Sequence, residues 1–517
     1  MTALTLLGSL RLSYLPPLMV YLAAGIEGLT GIVGTFFIKE YLDLSAEFLA
    51  ALGFWAVLPY AVKMVAGHFV DLVWRWKEAL VFAGAGLIAA SVGIMIGLLA
   101  EPEAMRAVMP AGRWYVIAAL LAPVGYMVQD VVADAMTVEA VPRVEADGRP
   151  IPPENLRAMH TTMQTLGRVA IIGGLTLVSL VNVFLMAGVH RLPEPEKVAA
   201  YLRVYQWALA IPLVSVAGVL LAAWLRRSRP VQYRRAVAPP PVNWWMLGGG
   251  GAFAAVSIGV GVADLRYGQE FVFGASMAVV LFLIGRLVRE LDAEARATLI
   301  GTAAVIWVFR AVPGPGAGAS WWMIDVLGFD QQFLAQLSLI SSGLTLAGLF
   351  IFRRFMAERS IFYVVGFLTV VGTALTLPQI GMVYGLHEWT AARTGGIVDA
   401  RFIALVDTAL ASPLGQIAMV PMLAWIARSA PEKLKATYFA VMASFTNLAL
   451  SASQLGTKYL NAAFTVTREV KDPATGAVRV PADYGELGAL LVTVTLVGFA
   501  APLAAILVAR AARMRSA

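Results

Sequence analysis

Apolar runs of about 20 residues recur from one end of this chain to the other, each long enough to cross roughly 30 Å of hydrocarbon as a helix. Inside a bilayer every backbone N–H and C=O must find its partner within the protein, so only helices and closed barrels span it. Barrel strands are about 10 residues long and alternate polar with apolar side chains, a pattern these runs lack. The chain is therefore expected to be an all-α membrane protein. Composition agrees: 59% of residues are hydrophobic and 14% charged, with a mean hydropathy of +0.76. A soluble domain carries about 25% charged residues.

The runs place helices over 15–38, 48–71, 78–100, 114–138, 158–186 and 204–225, then over 244–262 and 270–289. Six more follow over 296–312, 332–352, 360–386, 402–427, 433–458 and 486–510. About fourteen transmembrane helices result, as two sets of six flanking a central pair. The expected divisions are 1–225 for the N-terminal bundle, 226–295 for a basic linker and two extra helices, and 296–517 for the C-terminal bundle. Arg226 to Pro241, rich in Arg and Pro, reads as the linker.

The net charge of +7 does not imply a nucleic-acid partner, because the basic residues sort by side. Loops on the side of the N-terminus hold nearly twice as many Lys and Arg as loops on the other, including Arg226, Arg227, Arg229, Arg234 and Arg235 in one stretch. By the positive-inside rule both termini are expected in the cytoplasm of a multi-pass protein, in the inner membrane if the cell is bacterial. Pro16, Pro17 and Glu27 within the first run, with no small-residue cleavage site, predict a retained helix.

The absence of cysteine excludes disulfides, a thiolate nucleophile and cysteine-ligated metals. No Walker sequence, HExxH or paired-histidine motif occurs, so no enzyme activity, cofactor or metal is expected, and any work must come from an ion gradient.

Charged residues within the spans are functional candidates by default, since each costs at least about 2.5–3.5 kcal/mol on insertion scales. Glu27 falls near the middle of the first helix. In the second, Trp55, Pro59, Lys63, Gly67 and Asp71 recur every four residues along one face, so Lys63 is expected to reach Glu27. An inter-helix pair that only locks the bundle is the plainer alternative. The fourth helix carries Tyr126, Asp130 and Asp134 on one stripe with Gln129 beside it, and the fifth carries His160, Gln164 and Arg168. Antiparallel pairing puts Asp134 level with the turn from His160 to Gln164 and Asp130 nearer Arg168, forming one water-accessible wall. The second half is thinner in polar groups: Asp407 and Gln416 around Pro413, and Ser444, Asn447, Ser451 and Gln454 on one face. These serve equally as lining or as packing glue. Arg310 is expected to snorkel outward. Gly93 and Gly97, and the run Gly248 to Gly251, are expected at close helix contacts.

Gly67, Asp71, Arg75 and Lys77, in the connection after the second helix, resemble the inter-helix signature of major facilitator transporters and mark an inner gate. The run Leu58-Pro59-Tyr60-Ala61-Val62-Lys63 is more specific. So are the run from Asp130-Val131-Val132-Ala133-Asp134 to Glu139 and the stretch from Met419-Val420-Pro421 through Ala430-Pro431-Glu432 to Ser444-Phe445-Thr446-Asn447. Together they resemble the folate-biopterin transporter family across both six-helix halves. That resemblance implies a major-facilitator-like monomer that imports folate or pterin in symport with protons by alternating access. Asp130 or Asp134 would hold the pterin or carry the proton, and Lys63 or Arg168 would hold the tail carboxylates of a small anionic solute. Gln129-Asp130-Val131-Val132-Ala133-Asp134-Ala135 is similar to muropeptide permeases as well, so a muropeptide carrier and a non-transporting assembly factor of the same fold stay open.

Overall fold

The computed structural model describes residues 10–61, 63–73, 76–142, 149, 151–227, 242, 244–263, 265–289, 293–352, 355, 358–415, 417, 435–471, 477–514 and 516. Helices α1 (Leu15–Ile26) and α2 (Gly31–Tyr41) are joined by a 3-10 turn over Glu27–Thr30. Then come α3 (Ala46–Ala61), α4 (Lys63–Leu72), α5 (Lys77–Ala100), α6 (Pro102–Val108), α7 (Ala111–Ala140), α8 (Pro153–Leu185), α9 (Glu194–Ala208) and α10 (Ala210–Arg227). The central pair is α11 (Trp244–Val262) and α12 (Gly268–Val288). The remainder is α13 (Ala293–Arg310), α14 (Ala317–Asp325), α15 (Gln331–Ile351), α16 (Ile361–Val383), α17 (Leu386–Arg393), α18 (Ala400–Ala411), α19 (Lys435–Ala463) and α20 (Leu487–Ala511). A small antiparallel hairpin, β1 (Val470–Lys471) with β2 (Val478–Val480), lies between α19 and α20.

The expected fold class holds. Among the described residues, nine helical spans are long and apolar enough to cross a membrane, accompanied by the shorter apolar helices Ala46–Ala61 and Leu247–Val262. The expected count of about fourteen is not reached on this criterion among the described residues, where α3 and α4 are separated only by Val62, which lies outside them. The run expected over 402–427 stops as an α-helix at Ala411 and passes into a 3-10 turn over Ser412–Leu414, where Pro413 lacks a backbone donor. Residues 416 and 418–434 lie outside the described residues.

The chain forms two compact units. One comprises Met1–Thr35, Val65–Trp244 and Gln331–Leu346; the other comprises Phe36–Met64, Trp245–Asp330 and Ala347–Ala517. Two segments thus cross the divisions drawn from the sequence. In the first unit α1 packs on α7, α8 and α10, and α5 on α7, α9 and α10. In the second, α3 lies along α19, α19 meets α12 and α13, and α20 meets α13 and α16.

Lipid tails are as apolar as leucine, so helices in a bilayer gain contact by bringing backbones together at small residues. Here a Cβ on Gly25 would run into the Ile171 carbonyl of α8, and one on Gly174 would lie 2.9 Å from the Leu22 carbonyl of α1. Gly84 and Gly125 make the same approach between α5 and α7, each 2.7 Å from the other's carbonyl by that measure. The glycines expected to do this do not. A Cβ at Gly93, Gly248, Gly249 or Gly251 would meet nothing within 4 Å, and one at Gly97 would meet only the Met105 side chain.

Forcing extra volume into such a crossing costs about 1–3 kcal/mol. Gly25→Ala is therefore expected to lower the melting temperature of the detergent-solubilised protein by several degrees, and Gly93→Ala to leave it unchanged. Equal melting of the two variants would dismiss the tight α1–α8 crossing.

Candidate functional site

In the first unit α1, α7 and α8 bring together part of the set expected between the fourth and fifth spans. Tyr21 of α1 donates its hydroxyl to Asp134 Oδ1 at 2.5 Å, and Asp130 and Arg168 act electrostatically on the same phenol. Gly167 makes this possible: a Cβ there would lie 2.9 Å from the Tyr21 ring, so only glycine lets the ring rest on α8 with its hydroxyl aimed at α7. Asp130, Asp134 and Arg168 are half-buried, and Asp130 and Asp134 each have further interactions. Gln164 donates to Thr137 Oγ1 at 3.2 Å, and that hydroxyl in turn donates to the Asp134 carbonyl at 2.6 Å. Two carboxylates, a guanidinium, a phenol and an amide thus share one locality, with acceptors and a cation side by side.

Two sequence candidates serve structure instead. Gln129 is 2% exposed and donates through Nε2 to the Val81 carbonyl at 3.2 Å and to Ser215 Oγ at 3.0 Å, tying α7 to α5 and α10. Asn447 donates through Nδ2 to the Tyr60 carbonyl at 3.1 Å. Gln454 of the same face lies against Gly53, so this polar stripe of α19 is packed on α3. Arg310, expected to snorkel, donates its Nε to the Thr446 carbonyl at 3.1 Å.

Glu27 opens the 3-10 turn that interrupts the first span. Its side chain is exposed, and among the described residues its carboxyl accepts no hydrogen bond and joins no ion pair. The turn is braced from α8, where buried Asn182 donates to the Leu29 carbonyl at 3.1 Å. In the second unit Asp407 on α18 keeps a buried Oδ1 without a partner among the described residues. Lys63 begins α4 and has partners of its own, as does buried Tyr126. His160 lies on α8 and Asp71 on α4, but their side chains, like Arg75 and Gln416 entirely, fall outside the described residues.

The expected gate is represented by Gly67 on α4, where a Cβ would meet nothing within 4 Å, and by Lys77. Lys77 is 3% exposed and paired with Glu139, while the adjacent Glu78 pairs with Arg226. These two pairs join the start of α5 to the ends of α7 and α10. Tyr21, Gly167, Thr137 and Asn182 do not stand out in the sequence. A tyrosine in an apolar run carries the one usable signal, since a buried phenol needs a partner.

Residues 271–514 match the model of the BT1 family. A folate-biopterin transporter of Synechocystis is 22% identical over 436 residues, covering 84% of this chain and 71% of the relative. Among solved structures, a POT family transporter in complex with 5-aminolevulinic acid superposes with a TM-score of 0.63 at 10% identity, covering 97% of this chain and 96% of the other. The peptide transporter POT in complex with sulfate gives 0.61 at 16% identity, covering 98% and 96%. The resemblance drawn from the motifs is borne out. The chain is a multi-pass membrane protein with a major-facilitator-like, all-α fold.

Removing one partner of a buried ion pair costs about 3–5 kcal/mol, whereas replacing both with neutral groups is close to neutral. Glu139→Gln, which strands the Lys77 ammonium, is expected to destabilise the protein toward the low end of that range because Glu139 is partly exposed. Adding Lys77→Met to it restores most of the lost stability. Additive losses of melting temperature in the double variant would show that the two side chains do not act as a pair.

Proposed function

We propose that this chain is a transporter that imports a folate or pterin in symport with protons, by alternating access, with the solute held at the wall of α1, α7 and α8. One observation carries the reading: the Tyr21 hydroxyl on Asp134, with Asp130 and Arg168 in electrostatic reach of the same group. A pterin edge presents adjacent N–H donors, and a carboxylate accepts such donors in pairs. A folate tail ends in carboxylates, which a guanidinium binds through two parallel hydrogen bonds. The cluster offers both acceptor and cation. Asp134 is the acceptor in this scheme, oriented by Tyr21, and Arg168 holds the tail.

The proton is assigned to Glu27. A carboxylate with no partner, beside a helix break in the middle of a span, is costly while ionised. Protonation relieves that cost, and alternate exposure to the two sides lets the proton gradient drive the cycle. The two transporters of similar fold are described in complex with 5-aminolevulinic acid and with sulfate, both small and both carrying an anionic group, which accords with a cation in the solute site.

The test is uptake of labelled folic acid by proteoliposomes, with and without an inward proton gradient and with excess biopterin as competitor. Wild type is expected to accumulate folate only with the gradient, and biopterin to block it. Asp134→Asn abolishes uptake, and Tyr21→Phe weakens it roughly tenfold, since a hydrogen bond to a charged group contributes about 1.5–3 kcal/mol. Glu27→Gln retains downhill exchange but loses accumulation against a gradient. Accumulation of anhydro-muropeptide in place of folate would overturn the substrate, and absence of any flux would favour a non-transporting role.

A further inference from the structure

We infer that Arg468 is the pin of a latch that closes the extracytoplasmic face of the carrier and is withdrawn once in each transport cycle, an inference that rests on the alternating-access reading above. Arg468 follows α19, in the connection that carries the β1–β2 hairpin, and is 4% exposed. Its Nε donates to the Lys39 carbonyl at 2.8 Å and its Nη1 to the Leu44 carbonyl at 2.6 Å, at the end of α2 and in the connection to α3. The guanidinium lies 4.8 Å over the ring of Trp321 on α14, itself 2% exposed, which fixes the plane of the fork.

A second tie runs beside the first. Lys39 Nζ pairs with Asp325 Oδ1 at 2.5 Å, and the Tyr484 hydroxyl donates to Asp325 Oδ2 at 2.5 Å. Burial and that hydrogen bond push the Tyr484 phenol up from its ordinary value, so it stays a donor. Between them these contacts tie one short stretch, Lys39 to Leu44, to three places within the same unit: α14, the segment after α19 and the segment before α20. A cavity of about 180 Å3 lies at the clamp, lined by Ser45, Ala46, Trp321, Asn461, Thr465 and Arg468.

The chemistry is that of a contact made to be broken. Breaking a buried ion pair strands a charge, which makes such a pair a poor contact to cycle. Arg468 instead bonds two neutral carbonyls, and its Nη2 is buried with no partner among the described residues. Burial lowers the guanidinium pKa, and the largest favourable charge on it comes from Asp43, which is exposed at the cavity rim. On withdrawal the guanidinium regains water and approaches Asp43 while the two carbonyls regain water. Closed and open forms are thereby kept close in free energy, as a cycling gate requires. The basic-loop bias puts this clamp on the face opposite both termini.

The chain has no cysteine, so a single introduced thiol reports opening without background. Ala46 lines the cavity and is 3% exposed, and Ala46→Cys places the reporter there. In right-side-out vesicles, labelling of this reporter by a membrane-impermeant maleimide is expected to be slow. Arg468→Gln speeds it about fivefold or more, and Arg468→Lys, which keeps the charge but not the fork, lies between. Asp325→Asn releases Lys39 without touching Arg468 and shifts labelling the same way, which covers the case in which Arg468→Gln fails to fold. A merely structural role predicts lower melting temperatures with labelling unchanged in the folded fraction, and that result, or no change in either variant, overturns the latch. The assay needs no solute, so its failure leaves folate uptake to be judged separately, and absence of folate uptake does not alter the labelling.

Discussion

In hydrocarbon an unsatisfied peptide group has no water to turn to, and this requirement governs the interruption of the first span. A 3-10 turn over Glu27–Thr30 divides that span, and Asn182 on α8 donates to the Leu29 carbonyl within the turn. Glu27, a charge at membrane depth, opens the interruption. Discontinuous helices recur at the binding sites of transporters for this reason: irregular backbone at membrane depth is tolerated only where protein or a water-filled cavity satisfies it.

Charge elsewhere is divided by role. At the ends of helices it is paired: Lys77 with Glu139, Glu78 with Arg226, Lys458 with Glu270. The last of these ties α19 to α12, and Gln269 adds a hydrogen bond to the Ala51 carbonyl of α3 at 3.0 Å. The central pair is therefore anchored along the helices that pack α3 on α19, which gives it a bracing role beyond spacing two halves of a sequence. Within the spans the acidic groups are of a different kind. Glu27 has no side-chain partner among the described residues, and Asp407 retains a buried oxygen unpaired among them. An acid that no neighbouring cation neutralises is the sort a proton can neutralise.

The fold class was legible because a span needs length and apolarity, and both are written directly in the residues. The shared locality of Asp130, Asp134 and Arg168 around Tyr21 was partly legible, since helical periodicity and an antiparallel hairpin fix which residues share a level. The Tyr21 contribution was hidden. It comes from a third helix whose rotation is set by the Gly25–Ile171 and Gly174–Leu22 contacts, and sequence spacing does not reveal which glycines make such contacts; Gly93 and Gly97 looked equally suitable. Gln129 and Asn447 were misleading for a related reason. Amides suit a solute and a backbone carbonyl equally well, and only the packing of α19 on α3 and of α5 and α10 on α7 decides between the two.

The asymmetry between the units gives the scheme its direction. The first unit holds the dense charge: Asp130, Asp134, Arg168 and the open carboxylate of Glu27. The second is mostly apolar, with a core running through Phe54, Val305, Phe362, Met442 and Leu448, and its described ionic contacts lie at helix ends and in connections. On the proposed reading, recognition and proton binding reside in one unit while the other holds the Arg468 clamp. Such a division has a physical merit. A binding site is most selective when its groups are held fixed, and a gate must exchange contacts of nearly equal free energy. A rigid carboxylate-guanidinium cluster and a guanidinium on neutral carbonyls meet those opposite demands, and building them into different units lets each be tuned without loosening the other.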